Sequence, residues 1–265
     1  MKLRLVYYFY APTVEYPLIY DYHFACLKRF SNNFDEALII LAVDNEYDYE
    51  YINSLKCKFL NIFDSIKTIT FKVYKNNIYY REALAFKQEI IDTLKSSDSL
   101  TFFAHSKGYT NVFDENLKYW VCAMYYFNLR DINKIKYTLS AELTIFYSYM
   151  VIRGSEVASK YKWHFPGSFY WINCPYLYLE KGDNLPVLSN RWYAEMFPGS
   201  IYELSSSSFN KIRKARWAAK YFLEGNYNCY EKFKYLTSLV YSKEDQENLD
   251  NFVKSIDKEI ELKNK

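Results

Sequence analysis

The sequence predicts an α/β protein with a mostly parallel sheet, and two observations support this fold class. Short apolar runs alternate with amphipathic helical stretches through residues 1–110. The run over 37–43 is continuously aliphatic, as expected for a strand buried on both faces of a parallel sheet. Strands that alternate with helices of this length imply right-handed βαβ crossovers. These features indicate a Rossmann-type sheet, followed by a mixed second half and a helical C-terminal extension.

The first half contains four predicted strands and the helices that connect them. Each apolar run has the length of a strand, and each helical stretch carries its apolar residues on one face. The strands are expected over 3–10, 37–43, 68–74 and 100–104. The helices are expected over 21–30, 49–60 and 80–94.

The pattern changes after Gly108. A long aromatic helix is predicted over 114–129, then a strand over 144–152 and a glycine turn that leads into an aromatic strand within 163–173. A short helix over 190–199 is expected to stop at its final Pro-Gly pair, because proline and glycine end helices.

The serine-rich stretch 204–208 is the expected flexible joint between the main domain and the C-terminal end. Two helices are predicted after it, over 209–223 and 245–262. The expected organisation is therefore one domain over 1–205, with halves 1–110 and 111–205, and a helical extension over 206–265.

Composition excludes several classes of protein. The 265 residues are 50% hydrophobic and 25% charged, which suits one large domain with or without a small appendage. A net charge of +3 is too small to favour nucleic-acid binding. The five cysteines are scattered without a close pair, so neither a zinc site nor a disulfide framework is indicated.

The 30 tyrosines and 20 phenylalanines are the main departure from average composition. An AT-rich genome raises both without selection for function, and we weigh this as the larger cause. Tyrosines in a cleft would also suit sugar faces, since each offers an apolar ring and a hydroxyl. The apolar N-terminal run, about eight residues long, lacks a small-residue cleavage site and is too short to cross a bilayer, so a cytoplasmic location is expected.

Polar residues follow the fourth predicted strand at once. The apolar run 100–104 gives way to His105-Ser106-Lys107-Gly108. In open α/β sheets, ligands bind outside the carboxyl ends of the strands. An imidazole, a hydroxyl, a fixed cation and a flexible glycine at such a point suit a phosphate-bearing ligand. Alternatively, these four residues form a polar loop that merely ends the strand.

Three segments, in this order along the chain, carry a family resemblance. They are Phe103-Ala-His-Ser-Lys-Gly108, Trp163-His-Phe-Pro-Gly-Ser-Phe-Tyr-Trp171 and Arg191-Trp-Tyr-Ala-Glu-Met-Phe-Pro-Gly199. They resemble bacterial capsule and O-antigen glycosyltransferases of the GT-A fold, akin to the rhamnan-synthesis type. The resemblance covers residues 1–205. It implies transfer of a sugar from a nucleotide-diphosphate sugar to a hydroxyl of a capsular or other surface polysaccharide.

The resemblance also implies a donor site in the first half of the chain. The implied donor and diphosphate residues are His105, Ser106, Lys107, Gly108, Asp44 and Tyr8. The acidic Asp-x-Asp metal motif that most GT-A enzymes carry is replaced here by His105-Ser106-Lys107. Lys107 would then supply a point cation to the diphosphate, and a requirement for manganese or magnesium stays open.

The second half is implied to hold the acceptor and the catalytic base. The implied acceptor residues are Gly167, Ser168, Trp171 and Arg191. His164 and Glu195 are the candidates for the base that takes the proton of the acceptor hydroxyl. Alternatively, His164 is a core histidine whose hydrogen bonds are made within an aromatic cluster, and Trp171 is a core residue. Glu195 would then form an ordinary i,i+4 ion pair with Arg191.

The implied partners are a nucleotide sugar and a glycan or lipid-linked glycan, with no nucleic acid. The basic stretch 211–220 suits either a solvated helix face or peripheral contact with anionic lipid at the inner membrane face. The apolar stripe over 249–260 suits packing on the core or against a second copy of the chain.

Two other function classes stay open from the sequence. A nucleotidyl- or phosphate-modifying transferase would also use Lys107, but its acidic metal ligands or glycine-rich phosphate loop are not visible. A non-catalytic glycan-binding or assembly protein would be consistent with the missing carboxylate pair.

Overall fold

A computed structural model describes most of the chain. The described residues are 1–11, 17–45, 48–77, 83, 86–90, 93, 98–106, 113–141, 144–153, 163–165, 168–182, 184–185, 193–201, 217–224 and 241–263. The strands are β1 (Lys2–Ala11), β2 (Glu36–Val43), β3 (Thr68–Lys75), β4 (Ser99–His105), β5 (Phe146–Arg153), β6 (Trp163–His164), β7 (Tyr170–Asn173) and β8 (Trp217–Glu224). The helices are α1 (Ile19–Phe30), α2 (Tyr49–Ile62), α3 (Glu115–Leu129), α4 (Ile132–Ala141), α5 (Cys174–Lys181), α6 (Tyr193–Ile201) and α7 (Lys243–Lys263).

The first half forms a parallel sheet in the order β3-β2-β1-β4. All four predicted strands are confirmed. In β2, seven of the eight residues are buried, which confirms a strand covered on both faces. Because the chain moves outward from β1 to β2 and β3, and then returns to the other side of β1 for β4, the strand order reverses between β1 and β4. Ligands bind at such a reversal in open α/β sheets.

The second half makes the sheet mixed. β7 pairs antiparallel with β4 on one side and with β5 on the other, so β5 runs in the same direction as β4. β6 pairs antiparallel with the carboxyl end of β5, where Ile152 lies opposite His164. The α/β class with a mostly parallel first half and a mixed second half is therefore confirmed.

Helices cover both faces of this sheet, as the alternation of side chains along β1 shows. Leu5, Tyr7 and Phe9 point into one apolar cluster, which α1, α2, α3 and α7 close. Val6 and Tyr8 point into a second cluster on the opposite face, which α5, α6 and Phe86 close. Successive strand residues face opposite sides of a sheet, so two separate cores follow from one apolar strand.

The segment predicted as the third α-helix contains a π-helical turn in its described part. Within 80–94 the described residues are 83, 86–90 and 93, and the stretch Phe86–Ile90 is π-helical. Glu89 is buried in this turn and accepts a hydrogen bond from the Tyr74 hydroxyl, and Lys72 lies 3.0 Å from the same carboxylate. The wide turn thus brings an acidic side chain under β3.

The helix predicted over 209–223 is wrong for its described portion. Residues 217–224 form β8, which pairs in parallel with the whole of β5. Backbone groups at a sheet edge require partners, and this non-local pairing outweighs the helical pattern of the local sequence. The chain after residue 205 therefore adds a strand to the main sheet and is not only a helical extension. The predicted joint at 204–208 lies outside the described residues.

Two helices were not predicted, α4 and α5. Asn173 begins α5 by accepting a hydrogen bond from the Tyr176 backbone N–H, with proline at the first turn.

The boundary predicted for α6 is also wrong, because the helix continues through Pro198 to Ile201. The C-terminal helix predicted over 245–262 is confirmed, and its apolar stripe packs on α1 and α3 of the same chain.

Candidate functional site

The carboxyl edge of β1, β2 and β4 gathers the polar residues predicted from the first half. In the sheet register, Tyr8 of β1 lies opposite Ile40 of β2 and His105 of β4. Tyr8 and His105 are both buried, with 4% of each residue exposed. Ser106 follows at the end of β4 and Asp44 at the end of β2. Tyr8, His105 and Ser106 therefore lie side by side at the reversal of strand order, and Asp44 lies further along the same edge, at the end of the neighbouring strand β2.

Ser106 is fixed to β1 by two hydrogen bonds. Its backbone N–H donates to the Tyr8 carbonyl oxygen at 2.9 Å, and its Oγ accepts from the Tyr10 backbone N–H at 3.0 Å. The hydroxyl thus continues the β1–β4 ladder beyond the last residue of β4. Since its oxygen serves as the acceptor, the hydroxyl proton stays able to donate to a ligand oxygen.

Asp44 is an exposed carboxylate held in position by two side-chain donors. The Tyr10 hydroxyl donates to Oδ2 at 3.1 Å and lies 3.3 Å from Oδ1, and Asn76 Nδ2 donates to Oδ1 at 3.1 Å. The Asn76 backbone N–H also donates to the Val43 carbonyl at 2.7 Å. The Tyr20 hydroxyl donates to the Tyr10 carbonyl at 2.7 Å, which fixes the end of β1.

This arrangement suits recognition of ligand hydroxyl or N–H groups. A carboxylate has about four lone-pair positions, so Asp44 can still accept from a ligand after accepting from Tyr10 and Asn76. The sequence reasoning missed Tyr10 and Asn76. The signal was present, because both residues lie at the carboxyl ends of parallel strands, Tyr10 as the next-to-last residue of β1 and Asn76 directly after β3.

Ser168 has an unusual backbone conformation beside β4. Its φ is +55°, in the left-handed region that non-glycine residues rarely adopt. Such a conformation costs of order 1–3 kcal/mol and is kept where the surrounding structure requires it. Ser168 is fully buried, and its Oγ has no hydrogen-bond partner within the described part of the chain.

The position of Ser168 relates it to His105. β7 pairs antiparallel with β4, with Phe103 opposite Tyr170, so the residues that precede Tyr170 lie at the carboxyl end of β4, near His105. Phe169, which follows Ser168 in the chain, packs with its ring centroid 5.9 Å from that of His105. The predicted acceptor residue Ser168 therefore lies at the same sheet edge as the predicted donor residues.

The elements that carry the two candidate bases are in contact. His164 belongs to β6, at the carboxyl end of β5, and α6, which carries Glu195, packs against β6. Glu195 is buried, with 4% of the residue exposed. Because β5 runs in the same direction as β4, this end of β5 and the His105-Ser106 end of β4 lie at one edge of the sheet.

A hydrogen bond from β7 stabilises the helix of Glu195. Pro198 in α6 has no backbone N–H and cannot donate to the carbonyl of Ala194, four residues earlier. The Tyr170 hydroxyl donates to that carbonyl instead, at 2.7 Å, in a buried position. This substitution explains how α6 continues past Pro198, where the sequence predicts an end.

Trp171 lies in the core, away from any ligand surface. The side chain is fully buried between Phe34 and Phe102, with ring centroids at 5.9 Å and 5.1 Å. Its Nε1 donates to the Asn128 carbonyl at 2.9 Å. We therefore leave Trp171 out of the acceptor site. The predicted residues Lys107, Gly108, Gly167 and Arg191 lie outside the described part of the chain.

A buried polar chain lies beneath this edge. Nδ1 of His23 and the Tyr125 hydroxyl share a 2.8 Å hydrogen bond, and the Tyr125 hydroxyl lies 3.5 Å from that of Tyr7. Burial raises the pKa of both tyrosines above its ordinary value, so both stay neutral. This chain belongs to the core and not to the acid–base chemistry of the site.

Comparison with known proteins adds no family to this description. No protein-family model matches the chain, and no curated protein matches it.

In the described ranges, no three histidine, cysteine or acidic side chains are grouped as metal ligands. No helix among those ranges is both long enough and apolar enough to span a membrane.

Proposed function

We propose that this protein is a GT-A-like glycosyltransferase, which moves a sugar from a nucleotide-diphosphate sugar to a hydroxyl of a surface polysaccharide. The observation that carries the proposal is the meeting of Asp44, Tyr10 and Ser106 at the reversal of strand order. A parallel half followed by a mixed half is also the order of elements in GT-A glycosyltransferases, which supports the proposal.

The donor would bind along the carboxyl edge of β1, β2 and β4. Asp44, held by Tyr10 and Asn76, would accept hydrogen bonds from the nucleoside. The Ser106 hydroxyl and the following Lys107 would bind the diphosphate. As the bond from the anomeric carbon to the diphosphate breaks, negative charge grows on the leaving group, and fixed donors and cations lower the energy of that state.

The acceptor would enter beside β6 and α6. A base must take the proton from the attacking hydroxyl, and His164 and Glu195 are the proposed candidates. The Tyr170 hydroxyl bond to Ala194 would position the helix that carries Glu195. Metal ions assist most GT-A enzymes. Because no group of three metal ligands occurs among the described residues, we derive no step through a metal.

Nucleotide binding tests the donor site. We would measure affinities for UDP, GDP, CDP and TDP by calorimetry, with and without manganese. We expect one nucleotide to bind best, and the Asp44→Asn variant to bind it roughly tenfold more weakly or worse, because a hydrogen bond to a carboxylate is lost.

The matched control is Asp64→Asn. Asp64 is exposed and lies beyond the end of α2, at the opposite edge of the sheet. The Asp64→Asn variant should bind the preferred nucleotide with the affinity of the wild type. Failure of all four nucleotides to bind would contradict the donor site and favour a non-catalytic glycan-binding protein. Equal affinity of Lys107→Ala and the wild type would remove Lys107 from the diphosphate site.

Sugar transfer tests the base. With the nucleotide sugar thus identified, the variant of the true base should lose turnover while donor affinity stays near that of the wild type. His164→Ala and Glu195→Ala are the two variants to compare. If both keep full turnover, neither residue is the base.

A further inference from the structure

A cavity of about 290 Å³ lies between α1, α2 and α7, away from the proposed donor edge. Its lining comes entirely from these three helices and includes no residue of the strands that form the donor edge. The lining residues are Asp21, Phe24, Lys28, Lys58, Asn61, Ile62, Ile260 and Lys263.

The charge around this cavity is mainly positive. The lining includes three lysines, one from each helix, and a single carboxylate, Asp21. Glu259 of α7 is also near, but it pairs with Lys263 at 3.2 Å and with Arg29 at 3.4 Å. Lysines therefore outnumber carboxylates by three to one in the lining, and this excess of positive charge favours an anionic occupant.

Lys58 contributes a partly desolvated cation. Its Nζ lies 4.1 Å from the centroid of the Phe24 ring, in cation–π geometry. Burial lowers the pKa of Lys58 despite the carboxylate of Asp21, and the charge of Lys263 lowers it further. A bound anion would offset both effects, because it favours the protonated lysine.

The cavity floor is apolar. Phe24, Ile62 and Ile260 are all buried side chains, and Asn61 adds amide groups at the rim. The volume equals that of roughly ten water molecules, which exceeds the need of a bare ion. An occupant would therefore combine an anionic head with a small apolar body.

We propose that this cavity binds a phosphate group carried on an apolar body. Lys28, Lys58 and Lys263 hold the phosphate, because lysine binds phosphate as a point charge, and the Phe24 ring contacts the apolar part. The same chemistry is present in a free aryl or alkyl phosphate and in the headgroup of an anionic phospholipid. The site is independent of the proposed transferase activity.

Phenyl phosphate and inorganic phosphate are the probes for the free-ligand arm. By calorimetry, phenyl phosphate should bind more tightly than inorganic phosphate, because only the former reaches the apolar floor. Lys58→Met keeps the apolar stem and removes the charge, so it should weaken binding roughly tenfold, as expected for a lost charge-assisted contact. Lys263→Met, whose side chain is 53% exposed, should weaken binding in the same direction and serves if Lys58→Met does not fold.

Vesicles of phosphatidylglycerol or phosphatidylcholine are the probes for the lipid arm. Co-sedimentation with phosphatidylglycerol alone, lost in Lys58→Met, would identify a lipid headgroup as the source. Binding of phenyl phosphate without co-sedimentation would identify a free molecule. Lys254→Met is the matched control, since Lys254 is exposed on α7 outside the cavity, and it should change neither result. The proposal is overturned if no probe binds, or if Lys58→Met and Lys263→Met bind as the wild type does.

Discussion

At the scale of single residues, the Tyr170 hydroxyl compensates for a proline inside a helix. Pro198 leaves the Ala194 carbonyl without its helical donor, and Tyr170 on the neighbouring strand supplies one at 2.7 Å. The bond joins β7, which pairs with β4, to α6, which carries Glu195. One hydroxyl therefore connects the strand beside His105 with the helix of a proposed base.

Tyr170→Phe should destabilise the protein by about 1–3 kcal/mol, because a buried carbonyl loses its donor. The free energy of unfolding, measured in urea by circular dichroism, gives the size of the effect. Tyr137→Phe is the control, since Tyr137 is 65% exposed, and it should change stability by no more than about 0.5 kcal/mol. Equal stability of Tyr170→Phe and the wild type would mean that α6 does not need this donor.

At the scale of elements, α7 packs across α1 and α3. Its buried stripe consists of Leu249, Phe252, Val253, Ile256 and Ile260. Polar contacts flank this stripe: Asp257 accepts from the Tyr22 hydroxyl at 2.6 Å and from Lys118 Nζ at 3.1 Å. Asp245 pairs with Arg130 at the start of the helix. The C-terminal helix is thus part of the main core.

Ile256→Ala should lower the free energy of unfolding by about 2–5 kcal/mol, because the side chain is fully buried where α7 meets the core. Urea unfolding should stay a single transition, since α7 shares its apolar cluster with α1 and α3. Lys254→Ala on the exposed side of α7 should shift stability by about 0.5 kcal/mol or less. A separate early transition of α7 would contradict a shared core.

At the scale of the whole molecule, burial keeps many phenols and thiols neutral. Burial raises the pKa of Cys174 from 9.0 to about 12 and that of Tyr147 from 10.0 to about 12. It also raises the pKa values of Tyr7 and Tyr125. In the unfolded chain these groups ionise at their ordinary values, so they stabilise the fold fully below those values and progressively less above them.

The free energy of unfolding should therefore fall as the pH rises from 9 to 12. Each such group contributes a slope of up to about 1.4 kcal/mol per pH unit. Lys58, with its lowered pKa, opposes this trend in part. Urea midpoints at several alkaline pH values measure the slope. Cys174→Ala should flatten it between pH 9 and 12, whereas Cys57→Ala, at an exposed position, should not.

Local pattern was enough to predict the fold class and the four strands of the parallel half. The aliphatic run of β2 and the abrupt change from Ala104 to His105-Ser106 are properties of adjacent residues, and burial of the strand follows from them directly. The same pattern predicted that Asp44, Ser106 and His105 follow strand ends. Because the strands of a parallel sheet have their carboxyl ends at one edge, these residues were expected at one ligand site.

Contacts between distant residues decided the rest. β8 pairs with β5, Tyr170 sustains α6 beyond Pro198, and Tyr10 and Asn76 hold Asp44. The left-handed backbone of Ser168 also arises next to β7 and not from its own residue type. Periodicity in the chain reports which side of an element is buried, but it carries no record of which distant backbone or hydroxyl completes the hydrogen bonds there. For that reason strands were predictable and their partners were not.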